Sequence, residues 1–195
     1  AAVIADTRDL TAPGACEAAV AAAGHVDVLV ANLASPSFTG IAATELSDAD
    51  FATPYRMMVE PLHRLTRAVL PQMLEREAGK IVVYGSATGL QPMEKVSAYS
   101  TARAAQVGYV RATGLEAARH NVQINLIAQN YVENPVYYPA ELTASERFQR
   151  HLQRNVPLGR LATGREDALF ALFLASDESD FFVGQAIPFS GGWAQ

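Results

Sequence analysis

Cysteine is almost missing from this chain: Cys16 stands alone among 195 residues. No disulfide can therefore form within the chain, and no cysteine-rich metal site can be built. Charge is sparse as well, at 18% of residues with a net −5. There is no basic block and no basic stripe studded with aromatics, which removes the electrostatic footprint of a nucleic-acid binder. No apolar run reaches the roughly 18 to 20 residues that cross a bilayer, and no stretch has the form of a secretory signal. The four histidines, His25, His63, His120 and His151, are scattered without metal-ligand spacing and read as surface or structural residues. A reducing cytoplasm is the simplest home, with no metal, membrane or nucleic-acid partner expected.

Hydrophobic residues make up 50% of the chain, enough for one domain with one substantial core. Short apolar runs alternate with helical segments, the pattern of a Rossmann-like, doubly wound parallel α/β sheet in three layers. The runs at Ala2 to Asp6, Val26 to Asn32, Lys80 to Ser86, Val122 to Ala128 and Ala186 to Phe189 read as strands. Several are apolar on both faces, as strands covered by helices on both sides must be. Helices are expected near Gly14 to Ala23, Asp48 to Glu77, Ser97 to His120, Ala144 to Gln153 and Arg165 to Ser176. Pro54, Pro61 and Pro71 must cap, kink or interrupt the second of these.

Ser86, Tyr99 and Arg103 form the spacing Ser-x12-Tyr-x3-Arg. The Ser closes a strand-like run, and the other two lie one turn apart on one helix face. A guanidinium beside a phenol favours the phenolate, as any opposite charge a few ångströms away does for an acid. Tyr99 is thereby a candidate base, and Ser86 a candidate donor to a substrate oxygen that gains charge.

The chain around these residues resembles the short-chain dehydrogenase/reductase superfamily, whose catalytic helix normally carries Tyr-x3-Lys. With Arg103 in place of the Lys, it resembles the superfamily's halohydrin dehalogenases, which keep the fold without the nicotinamide. The B-type subgroup is the nearer pattern, on Lys80 to Ala87, Pro157 to Thr163 and Gly191-Gly192-Trp193. The resemblance implies cofactor-free conversion of vicinal halohydrins to epoxides, with release of halide and proton, and reverse ring opening by azide, cyanide or nitrite. It places the halide on the loop Asn130, Tyr131 and Val132, where successive backbone N–H groups can cradle an anion. Phe38, Thr88, Met93 and Tyr138 are the expected pocket residues, with Tyr137 a weaker candidate.

Two departures bear on the cofactor. Gln129-Asn130 stands where nicotinamide-binding members usually have Pro-Gly, and Met58 where they commonly have the Asn of a catalytic tetrad. No cofactor is therefore expected. Leu33 stands where some relatives have an acid that helps proton removal, so that relay does not transfer. Ala1 to Asp6 resembles the family's second strand, which implies a preceding strand-turn-helix unit of about thirty residues and makes the 195 residues a single, N-terminally shortened domain. A homotetramer is expected from apolar faces on Met57 to Leu74 and Ala98 to Ala118, with the strand Ala186 to Phe189 as a second contact. The rival readings are an NAD(P)-dependent oxidoreductase and a non-catalytic member of the superfamily.

Overall fold

The structure, a computed structural model, describes residues 3–195. In chain order the elements are α1 (Ala15–Ala23), β1 (Val28–Asn32), α2 (Asp48–Pro54), a π turn (Tyr55–Val59), α3 (Glu60–Glu75), β2 (Gly79–Tyr84), a 3₁₀ turn (Ala87–Gly89), α4 (Ser97–Ala118), β3 (Val122–Gln129), α5 (Ala140–Thr143), α6 (Glu146–Asn155), α7 (Gly164–Leu174), a second 3₁₀ turn (Asp177–Ser179) and β4 (Ala186–Phe189). The four strands form one parallel sheet in the order β1-β2-β3-β4, which gives the expected Rossmann-like architecture.

Strand periodicity divides the core into two layers. Ile81 and Val83 of β2, with Val122, Ile124, Leu126 and Ala128 of β3, face Leu62, Val69 and Met73 of α3 and Val107 and Val110 of α4. Val82 and Ile127 point the other way and pack on Ala171 and Leu174 of α7. Burial on both faces explains why β2 and β3 carry apolar runs instead of a clean alternation. The α7 side also holds buried polar residues with defined partners. The Asn125 amide donates to the Phe182 carbonyl at 2.7 Å and accepts from the Gln185 N–H at 2.9 Å. Lys80, buried in the sheet, is neutralised by Asp180.

One expected strand does not form. Val3 to Asp6 lie outside the sheet, with Val3 and Ile4 almost fully exposed, and Ala2 lies outside the described residues. Extended backbone becomes a strand only when a neighbour takes up its N–H and C=O groups. β1 stands at one edge of the sheet and, among the described residues, pairs with β2 alone. The long second helix also differs from a continuous rod: a π turn separates α2 from α3, with Pro54 ending α2 and Pro61 in the first turn of α3. Prolines lack the N–H an α-helix needs, and π turns are a frequent feature of functional sites.

At the start of α7, Thr163 and Glu166 form a reciprocal capping box, which satisfies otherwise unpaired N–H groups. Arg160 grips the same carboxylate in a fork, at 2.8 and 2.6 Å. The Arg160 hydrogen bond, then the Thr163 backbone N–H, pull Glu166 down from 4.5 to about 2. A carboxylate with a depressed folded-state pKa stabilises the fold above its unfolded value and loses that contribution as pH falls through the folded one. Glu166→Gln should therefore lower the melting temperature near neutrality, with the gap closing as pH falls from 4.5 toward about 2. Thermal melts of both proteins across that range provide the check.

Candidate active site

The site is assembled at the carboxyl ends of the strands. Ser86 is separated from the end of β2 by Gly85 and keeps an extended backbone, so it caps the 3₁₀ turn rather than continuing the strand. Its Oγ accepts the Thr88 N–H at 3.2 Å and lies 3.0 Å from the Thr88 hydroxyl. Thr88 is buried and braces Ser86. The turn packs directly on α4. A Cβ added at Gly89 would lie 2.7 Å from the Arg103 carbonyl carbon and 2.8 Å from its oxygen, so only glycine permits this approach.

Tyr99 and Arg103 occupy successive turns of α4. The Arg103 Cζ lies 4.9 Å from the centre of the Tyr99 ring, a cation–π contact. Arg103 as a residue is 7% exposed. Its Nη1 donates to the Tyr84 carbonyl at 3.1 Å and to the Gln106 side-chain oxygen at 2.9 Å, while Nη2 donates to the Leu33 carbonyl at 3.2 Å. Nε is buried without an acceptor. No carboxylate pairs with this cation among the described residues. Leu33 thus serves through its backbone at the position where an acid was discounted.

The loop after β3 is held tightly. The Asn130 N–H donates to the Phe189 carbonyl at 3.0 Å, and the Tyr131 N–H to the Asn130 side-chain oxygen at 2.9 Å. Tyr131 adopts left-handed backbone, φ 56°. The Glu133 N–H donates to the Ala162 carbonyl at 2.9 Å, and the Ala162 N–H to the Tyr131 carbonyl at 2.8 Å. The expected cradle of successive N–H groups is therefore largely taken up inside the chain; the Val132 N–H donates to no group among the described residues. Tyr131 is buried among Phe148, Leu152 and Val156, and its hydroxyl lies 3.0 Å from the His151 ring nitrogen.

Tyr138 stacks on Tyr131 with ring centres 6.4 Å apart. Burial first, then the neighbouring Tyr131 and, more weakly, Tyr99, push its phenol up to about 12. It is a neutral wall beside Tyr99. Tyr137 is exposed. Phe38 sits half-buried on the segment after β1 in left-handed backbone, φ 49°, and Met93 lies 44% exposed after the 3₁₀ turn. A hydrogen bond from the Gly40 N–H to the Lys95 carbonyl, at 2.9 Å, joins these two loops.

Sequence reasoning missed Gln106 and Gly89. Gln106 is fully buried, and its amide nitrogen donates to the Met58 carbonyl in the π turn at 3.2 Å. The available signal was a glutamine three residues after Arg103, hence on the same helix face. Gly89 carried no local signal, because its role is a tertiary contact.

A parallel α/β sheet with Ser, Tyr and a cation at its carboxyl ends defines a short-chain dehydrogenase/reductase. The family described as enoyl-(acyl carrier protein) reductase matches residues 4–194, and the chain belongs to that short-chain dehydrogenase/reductase family. Among curated relatives, oxidoreductase UcpA of Escherichia coli O157:H7 is 32% identical over 98% of this chain and 74% of its own length. Among solved structures, one described as a dehalogenation enzyme is 36% identical, covers 92% of this chain and 73% of its own, and superposes with a TM-score of 0.84. The halohydrin dehalogenase HheC, bound to ethyl (2S)-oxiran-2-ylacetate, is 28% identical with a TM-score of 0.87, over 98% of this chain and 77% of its own.

Gly89→Ala should push the Ser86 turn away from α4 and cost about 1–3 kcal/mol of stability, the usual range for overpacking. Chemical denaturation measures that loss. Activity should fall further than stability alone explains, because Ser86 and the Arg103 backbone move apart.

Proposed function

We propose that this protein converts vicinal halohydrins to epoxides without a cofactor. The observation that carries the reading is the Arg103 guanidinium, buried beside Tyr99 with no acid to balance it and three of its N–H donors committed to Tyr84, Leu33 and Gln106. In nicotinamide-dependent relatives the Lys at this position also holds the cofactor ribose. Here the cation is anchored inward, and its uncompensated charge favours an oxyanion nearby.

In this mechanism the Tyr99 phenolate takes the proton of the substrate hydroxyl. The resulting alkoxide attacks the neighbouring carbon from the side opposite the halogen. The carbon–oxygen bond forms as the carbon–halogen bond breaks, and halide departs with the bonding electrons. Tyr99 then passes the proton to water. Ser86 hydrogen-bonds the substrate oxygen as its charge develops, Tyr138 walls the pocket with Phe38 and Met93 on its flanking loops, and the Val132 N–H receives the halide on a loop whose shape Asn130 and Tyr131 fix through their own hydrogen bonds. Run backwards, the same loop admits azide, cyanide or nitrite to open an epoxide.

A second reading, an NAD(P)-dependent oxidoreductase, is favoured by the reductase family that the chain matches and by its identity with UcpA. The two readings part in one assay. Halide release from a vicinal halohydrin is expected with no added nucleotide, and a strict requirement for NAD(H) or NADP(H) would sink the dehalogenase reading. Tyr99→Phe should lower the rate roughly a hundredfold or more while the folded circular-dichroism spectrum persists. Crystals soaked in bromide should show anomalous density at Val132, and bromide confined to other sites would count against the loop.

The homotetramer belongs to the same proposal. Tyr55 and Leu115 are left 48% and 70% exposed on the π turn and α4, faces that a second copy would cover. Light scattering showing a monomer at micromolar concentration would overturn it.

A further inference from the structure

The charge of Arg103 is left uncompensated because each group that accepts from it is neutral. Of the three groups that accept from the guanidinium, two are backbone carbonyls and the third is the side-chain oxygen of Gln106, at 2.9 Å. Gln106 is 0% exposed. Its other end donates to the Met58 carbonyl at 3.2 Å, so one amide joins the cation on α4 to the π turn between α2 and α3. A glutamate has nearly the same shape and would also accept from Arg103, but it would cancel the charge. A purely apolar side chain would fill the space and leave a guanidinium donor and a π-turn carbonyl without that bridge.

We propose that Gln106 is a positioning residue of this site: it fixes the Arg103 guanidinium against the Tyr99 ring while leaving its positive charge unpaired. The inference rests on Tyr99 acting as the base. Arg103, on the same helix, stands over the Tyr99 ring, and Tyr138, from the segment before α5, is close enough for Tyr99 to bear on its phenol. With Tyr138 neutral, Arg103 is the cation at the Tyr99 ring, and among the described residues Gln106 is the one side chain that accepts from it.

The test compares wild type with Gln106→Glu and Gln106→Met, each also combined with Tyr99→Phe so that ultraviolet difference titration isolates the ionisation of Tyr99. In Gln106→Glu, Tyr99 should ionise at a pH higher by about one unit or more, the size of effect a close opposite charge has on an acid. The acid limb of the halide-release profile should move the same way, with kcat affected more than KM. In Gln106→Met, which keeps the volume without an acceptor, the Arg103 side-chain N–H signals in nitrogen-15 NMR should exchange faster, and kcat should fall about tenfold. Unchanged Tyr99 ionisation and unchanged Arg103 signals would overturn the proposal. So would unfolding of both variants, since Gln106 would then be a packing residue. If wild type releases no halide but the Tyr99 ionisation still moves in Gln106→Glu, the dehalogenase reading fails and the positioning role stands. If Gln106→Glu alone fails to fold, the Arg103 signals in Gln106→Met decide.

Discussion

A buried guanidinium with no counter-ion among the described residues is the constraint around which the site is arranged. Taking a charge out of water is costly unless hydrogen bonds satisfy its donors. The fold meets that demand from three directions: the last residue of β2 supplies the Tyr84 carbonyl, the segment after β1 supplies the Leu33 carbonyl, and α4 supplies Gln106. Each acceptor is neutral, so the charge is solvated by dipoles instead of cancelled. Two of the acceptors sit beside strands whose positions the sheet register fixes, Asn32 opposite Tyr84. The location of Arg103 is thus set by the sheet as much as by its own helix.

The same logic accounts for the irregular helix beneath it. A continuous α-helix from Asp48 to Glu75 would use its interior carbonyls for its own ladder. The π turn at Tyr55–Val59 instead presents the Met58 carbonyl to Gln106, with Met58 fully buried between the sheet and α4. Pro54 and Pro61 flank the turn and mark its place in the sequence. Helix irregularity, buried glutamine and buried arginine form one hydrogen-bonded line from the π turn to the cation that stands over the Tyr99 ring.

Much of this was legible in the sequence, and the misses have physical causes. The strands β2, β3 and β4 and the helix bearing Tyr99 and Arg103 follow from apolar runs and helical spacing, which are local properties. Val3 to Asp6 have an apolar run too, yet a strand exists only through its partner, and no local pattern reports whether one is present. Ser86 was placed one element too early because an extended cap and a strand end share the same backbone region. The loop Asn130 to Val132 was read as a cradle of free N–H groups; the side chain of Asn130 and the carbonyl of Phe189 take two of them. Asn favours such local bonding, so the residue that suggested an anion site also competes for its donors. The hydroxyl and N–H of Thr88 brace Ser86, a detail of the turn that no sequence pattern around Thr88 reports.

Arginine in place of lysine at position 103 changes more than donor geometry. Lysine is a compact point charge on a flexible stem, free to reach outward, whereas the planar fork of arginine can be pinned along several directions at once. Gly89 brings the Ser86 turn within contact of the Arg103 backbone, and the Tyr84 carbonyl holds the side chain from the same strand end. Ser86 and Arg103 are thereby locked to one another from two sides, with the fork's charge over the Tyr99 ring. A cation held this way can stabilise a negative oxygen beside it but has few donors left with which to grip a sugar hydroxyl. On a common scaffold, the direction in which the cation's donors are anchored is therefore a physical basis for separating chemistry on a bound nucleotide from proton abstraction on a small substrate.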